Sequence, residues 1–187
     1  MDTNTETSKV VIDPDGDVVL VLHDGTELQV SSKALSLASS VFKAMFGPHL
    51  QEGQDLSGTS PKRISLPEDH PAAMTTLCNV LHHQHNSVSK TLMESELVNV
   101  AAACDKYDCS EAFSLWSPIW TLTRSSELKG VAKLLYPSFL LDDAKSFKQL
   151  SVLTVLHTEG FIDKPKNTDP MPDGVFGKST ARAWSAL

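Results

Sequence analysis

Cysteine is scarce in this chain. Cys78, Cys104 and Cys109 are its three cysteines. The number is odd, and each lies in or at the end of a segment with helical periodicity. A disulfide framework is therefore not expected, and the thiols read as reduced and buried. Long apolar runs are missing too: none approaches the roughly 20 residues that a membrane-spanning helix needs. The opening, MDTNTETSKV, has no basic stretch followed by an apolar one, so no secretory signal is expected there. Positive charge is in deficit, with 16 Lys and Arg against 23 Asp and Glu and a formal net charge of -7. The one compact basic cluster, Lys62-Arg63, is too small for a phosphate footprint, so neither nucleic acid nor membrane is an expected partner. The chain also lacks a glycine-rich phosphate loop, a GxSxG elbow and an HExxH pair, and it has no internal repeat. A cytoplasmic or nuclear protein without a catalytic motif is the expectation.

What is present reads as one domain with a helical extension. The 187 residues are 41% apolar and 21% charged, which suits a globular core. Residues 1–14 read as a flexible tail that ends in the turn chemistry of Asp13-Pro14-Asp15-Gly16. Val18 to Leu22 is apolar on both faces and reads as a buried strand. Asp24-Gly25 marks a tight hairpin turn, and the alternation from Glu27 to Val30 reads as a half-exposed partner strand. The period then changes to 3.6. Ala34, Ala38, Val41, Phe42 and Met45 share one helical face, which Gly47-Pro48 ends. A polar loop over 51–62 leads to a short strand at 63–66. A second helix starts near Asp69, with Pro71 in its first turn and Met74, Leu77, Cys78 and Leu81 on one face. A third starts near Thr91, where Thr91-x-x-Glu94 fits a capping box, and turns Leu97, Val100, Ala101 and Cys104 inward. Phe113 and Trp116 face inward on a fourth, which Pro118 is expected to disturb. Farther on, Ser125 or Ser126 caps a segment through Leu128, Val131, Leu134 and Leu135. Asp142 or Asp143 caps another through Phe147, Leu150, Leu153 and His157, stopped by Gly160. Residues 163–178 read as a Pro/Gly-rich surface loop, followed by a short docked turn carrying Trp184.

Three stretches carry a family resemblance. GDVVLVLHDGTELQVSSKALSLASSVFKAMF is similar to the opening of the BTB/POZ domain, with Leu35, Ser39, Phe42, Met45 and Phe46 at its Leu-x-x-x-Ser-x-x-Phe-x-x-Met-Phe positions. RISLPEDHPAAMTTLCNVLHHQH resembles its third strand and the next helix, and LVNVAAACDKYDC its later helix. The DKYDC ending, with Trp116 and Trp120 beyond it, is similar to the short, uncharacterised BTB proteins of fungi. Two positions depart from the pattern. Ser31 stands where the family often has His, and His83-Gln84-His85 where it often has aromatic-Thr-Gly. The resemblance implies an α/β fold: a small mixed sheet flanked by a cluster of helices over about 15–121, with residues 122–187 as a helical C-terminal extension. It implies a protein–protein interaction module that binds other proteins or itself, works without a cofactor and catalyses nothing.

Three groups of residues are candidates for function. CNVLHHQH, residues 78–85, packs Cys78, His82, His83 and His85 together, and these are zinc-ligating types. A metal-dependent enzyme built on them is the competing reading. However, Cys78 falls on the apolar helical face with Leu77 and Leu81, and a structural zinc site needs four converging ligands, so a helix end is the expectation. Leu50-Gln51-Glu52 matches the hydrophobic-x-Glu motif of BTB proteins that recruit a cullin scaffold, which makes Leu50 and Glu52 candidate contacts. Val10, Val11 and Ile12 are candidates for an extra strand laid on a partner's sheet edge in a homodimer; alternatively they cover their own sheet. Ser60-Pro61-Lys62-Arg63 has the form of a proline-directed phosphorylation site in an exposed loop.

Overall fold

The structure is a computed structural model that describes residues 8–122 and 131–157. The chain divides into two compact units between Phe113 and Ser114.

The first unit holds a four-stranded mixed sheet in the order β1-β3-β2-β4. β2 (Val18–Leu22) and β3 (Glu27–Val30) form the antiparallel hairpin expected from their patterns. Gly25 takes φ 85°, and Asp24 Oδ1 accepts the Thr26 N–H at 2.8 Å. This is the chemistry of a three-residue hairpin loop closed by a left-handed glycine. β4 (Lys62–Leu66) runs parallel to β2 and so completes the shorter strand read at 63–66.

Part of the segment read as a tail is sheet. β1 (Lys9–Val11) pairs in parallel with β3, and the Ile12 N–H continues the ladder to Gln29 O at 3.0 Å. β3 is therefore an interior strand, and Leu28, Gln29 and Val30 are all buried, where a half-exposed strand was expected. The alternation failed as a guide because the face that carries Gln29 meets the backbone of Pro14 and Gly16. Buried Gln29 is satisfied by donating to the carbonyls of Pro14 (3.1 Å) and Gly16 (3.3 Å).

The single helix expected after β3 is two short ones, α1 (Ser32–Ala38) and α2 (Ser40–Met45). They break at Ser39, whose backbone is extended and whose Oγ caps α2 by accepting the Phe42 N–H at 3.0 Å. The break redirects the buried face. Leu35 and Phe42 are fully buried, whereas Ala34, Ala38 and Met45 are half-buried and Val41 is exposed. α3 (Pro71–Leu81) buries Met74, Leu77, Cys78 and Leu81 as expected, with Pro71 at its first position. α4 (Glu94–Lys106) likewise buries Leu97, Val100, Ala101 and Cys104. It begins later than the Thr91 box implied. Glu96, not Glu94, reaches back and accepts the Met93 N–H at 2.6 Å, while Ser89 Oγ takes the Thr91 N–H in a local turn. The three cysteines are buried and unbridged, with the sulfurs of Cys104 and Cys109 3.8 Å apart.

The end of α4 is the largest departure from expectation. Asp105, Lys106, Tyr107 and Asp108 read as a solvated helix end, yet Tyr107 is 1% exposed. Its ring stacks on Phe42 at 4.3 Å between centroids, its hydroxyl donates to Asp69 Oδ2 at 2.7 Å, and its carbonyl accepts from Ser39 Oγ. Lys106 donates to the other oxygen of Asp69 at 2.8 Å. Burial, then the bond to Asp69, raises the Tyr107 phenol above its ordinary range, so it stays protonated as a donor.

In the second unit, α5 (Trp116–Leu122) contains Pro118 in its first turn, where a missing N–H does no harm, so the helix is not disturbed. Trp116 and Trp120 are both buried and stack at 5.5 Å. A 3-10 turn (Val131–Leu134), α6 (Leu135–Leu140) and α7 (Ala144–His157) follow. Asp143 is the cap of α7, accepting the Ser146 N–H at 2.9 Å and the Ser117 hydroxyl at 2.7 Å. The expected features at Ser125, Ser126, Leu128, Gly160, 163–178 and Trp184 lie outside the described residues.

Phe42→Ala is expected to destabilise the first unit severely. Truncating a buried Phe costs about 3–5 kcal/mol, and here it also removes the ring that Tyr107 stacks on. Thermal or urea denaturation checks this, and an unchanged midpoint would show that the core lies elsewhere.

Candidate functional site

The cluster in CNVLHHQH works as a clasp. α3 ends at Leu81, and His82 is its C-cap. The His82 ring spans two backbone groups: Nδ1 lies 2.7 Å from the Cys78 carbonyl, and Nε2 accepts the Ser31 N–H at 2.9 Å. A ring nitrogen that accepts carries no proton, so His82 is neutral, with its proton on Nδ1 donated to Cys78. Burial lowers its pKa, against the raising effects of the Cys78 carbonyl and Asp13 and with a small lowering by His83. Cys78 is completely buried, and burial raises its thiol far above the ordinary range. His83 turns away in a left-handed backbone conformation (φ 57°), and its ring meets the edge of His85 at 5.7 Å. The four residues do not converge. Among the described residues, no group of three or more His, Cys, Asp or Glu could hold a metal ion.

His82 acts at a second place, the start of α1. Ser31 is the N-cap of α1, and the next residue, Ser32, gives both its N–H (2.7 Å) and its hydroxyl (2.6 Å) to the Asp17 carboxylate. An anion at a helix N-terminus is favoured by the aligned peptide dipoles. The start of α1 is therefore held from the sheet by Asp17 and from α3 by His82. Ser31, at the position where a His was expected, receives a His from elsewhere in the chain. No sequence spacing revealed this, because the pair is 51 residues apart.

α1 and α2 carry an exposed apolar surface. Leu37 is 81% exposed and Val41 36%. On β1, Val11 is 50% exposed, Val10 is half-buried and Ile12 belongs to the core. Val10 and Val11 thus pair within the chain's own sheet, of which β1 is an edge strand. Leu50 is 47% exposed and precedes a 3-10 turn, Gln51–Gly53, in which Glu52 is half-buried. Lys62, the first residue of β4, reaches across and donates from Nζ to the carbonyls of Gln51 and Gln54, the latter at 2.9 Å.

Two observations now combine: a hairpin, paired short helices, a parallel third strand and two longer helices in this order, and a matching sequence profile. The profile of the BTB/POZ domain matches residues 15–117. The chain belongs to the BTB/POZ family. BTB domains are protein–protein interaction modules and are typically non-catalytic. A search of curated proteins found no match. No helix among the described residues is long and apolar enough to cross a membrane.

The His82 clasp predicts a pH dependence. The folded pKa lies below the ordinary 6.5, so the unfolded chain binds more protons and stability falls as pH drops below about 6.5. Protonation of Nε2 also removes the acceptor for Ser31. Denaturation midpoints measured from pH 7.5 to 5 should show this loss, and His82→Gln should reduce it. A dependence that is the same in wild type and variant would assign it to other groups.

Proposed function

We propose that this BTB domain acts by binding a second copy of itself, through the exposed apolar side of α1 and α2 and the outer edge of β1. Leu37 is the observation that carries this reading: a large aliphatic side chain, 81% exposed, on a helix whose start is already fixed by Asp17 and His82. Such a helix is ordered before it binds, so burying Leu37 costs little additional entropy. Full burial of a Leu contributes about 1.5–3 kcal/mol per copy, and a symmetric pair counts it twice. Val41 adds apolar area, and Val10 and Val11 supply strand backbone for edge pairing, while Ile12 supports them from the core.

Light scattering at high micromolar concentration is expected to give the mass of a dimer. Leu37→Arg should give a monomer with an unchanged melting temperature. A monomeric wild type contradicts the reading.

A second reading is favoured by the display of Leu50 and Glu52: recruitment of a cullin-type scaffold. Leu50 is exposed at the entrance to a turn held by Lys62. Leu50 would anchor in an apolar pocket, and Glu52 would fix orientation by a charge-assisted hydrogen bond. In a direct binding assay, Leu50→Ala with Glu52→Ala should abolish capture, and His83→Ala with His85→Ala should leave it intact. Capture by the first pair removes the motif from consideration.

A further inference from the structure

We propose that Ser60 is a phosphorylation site for a proline-directed, ATP-dependent protein kinase, and that its phosphate draws the Lys62 ammonium off the Gln51 and Gln54 carbonyls, releasing the turn that displays Leu50 and Glu52. The release itself is independent of any partner, and its consequence for binding rests on the cullin reading.

Ser60 meets the requirements of a substrate. It is exposed, in the loop before β4, and Pro61, Lys62 and Arg63 follow it. Pro61 biases Ser60 toward extended backbone and offers no N–H at the following position, which suits a kinase cleft built for proline there. In the transfer, Ser60 Oγ bonds to the γ-phosphorus of ATP as the bond from that phosphorus to the bridging oxygen breaks. ADP departs with that electron pair, and the hydroxyl proton passes to a base of the kinase.

The consequence follows from which cation is within reach. Lys62 stands two residues along the chain from Ser60, and Arg63, the next residue, projects from the opposite face of β4. Arg63 is already occupied there, in a two-bond pair with the Glu27 carboxylate at 2.7 and 2.9 Å. Lys62 is held only by neutral carbonyls in the bonds described. A phosphoserine carries a charge of about -1.5 to -2 at pH 7, against the partial charges of two carbonyls, so the phosphate competes for the ammonium with a full ion pair. The turn is then left with its own backbone bonds, Gly53 N–H to Leu50 O at 3.2 Å and Gln54 N–H to Gln51 O at 3.3 Å. Both are at the long end of the ordinary range.

The test treats the full chain with a proline-directed kinase and magnesium ATP. Peptide mass spectrometry locates the phosphate, and hydrogen exchange is read at the amides of Gly53 and Gln54. Phosphate is expected on Ser60 and absent from that position in Ser60→Ala. Exchange at those two amides should rise about tenfold on modification, by a similar factor in Lys62→Ala, and stay unchanged in β4. No phosphate on Ser60 overturns the proposal, as does phosphate with unaltered exchange. Unaltered exchange in Lys62→Ala overturns the latch. No readout uses a binding partner, so failure of the cullin reading is told apart from failure here.

Discussion

Tyr107 is the residue on which the first unit depends. It ends α4, yet it touches three other parts of the fold. Its hydroxyl ties it to Asp69 just ahead of α3, its ring lies on Phe42 of α2, and its carbonyl holds the Ser39 hydroxyl where α1 and α2 part. Asp69 is buried and charged, an arrangement tolerable only when its oxygens are satisfied, and Tyr107 and Lys106 each take one. Ser39 shows the same economy: one hydroxyl accepts the Phe42 N–H and donates to Tyr107. The helices are thus joined by a few polar groups embedded in apolar packing, and removing one member leaves another buried and unpaired.

What the sequence made legible was local. The β2–β3 hairpin followed from an apolar run, an Asp-Gly turn and an alternation, and the inward faces of α3 and α4 followed from a 3.6-residue period. What it hid depends on distant residues. β1 reads as a tail because a three-residue strand has no periodicity of its own, and only its parallel pairing with β3 defines it. The break at Ser39 is fixed by Tyr107, 68 positions away. Tyr107 reads as solvated because charged residues surround it in sequence, and its partners Asp69 and Phe42 are distant in the chain. Of the candidate site residues, the structure places Leu50 and Val11 at the surface and Ile12 in the core. Leu37, exposed on α1, does not stand out in the sequence, where α1 and α2 read as one helix with a continuous buried face.

The histidine cluster illustrates how a motif of ligand-type residues can be structural. The His82 ring serves two backbone groups, the Cys78 carbonyl, which also accepts the His82 N–H, and the Ser31 N–H at a helix start. In the proposed dimer its contribution to function is indirect. By holding the beginning of α1, together with Asp17, it fixes the element that carries Leu37. An interaction module needs surfaces that are ordered before the partner arrives, and here that order comes from polar clasps at helix ends.

The central claim is that these helices are locked into one cooperative body through Tyr107. Native-state hydrogen exchange of wild type and Tyr107→Phe tests it most directly. The account predicts that slow amides in α2, α3 and α4 open together in the wild type, and that the variant lowers protection in all three by the same factor. Loss of protection confined to the last turn of α4 would contradict it.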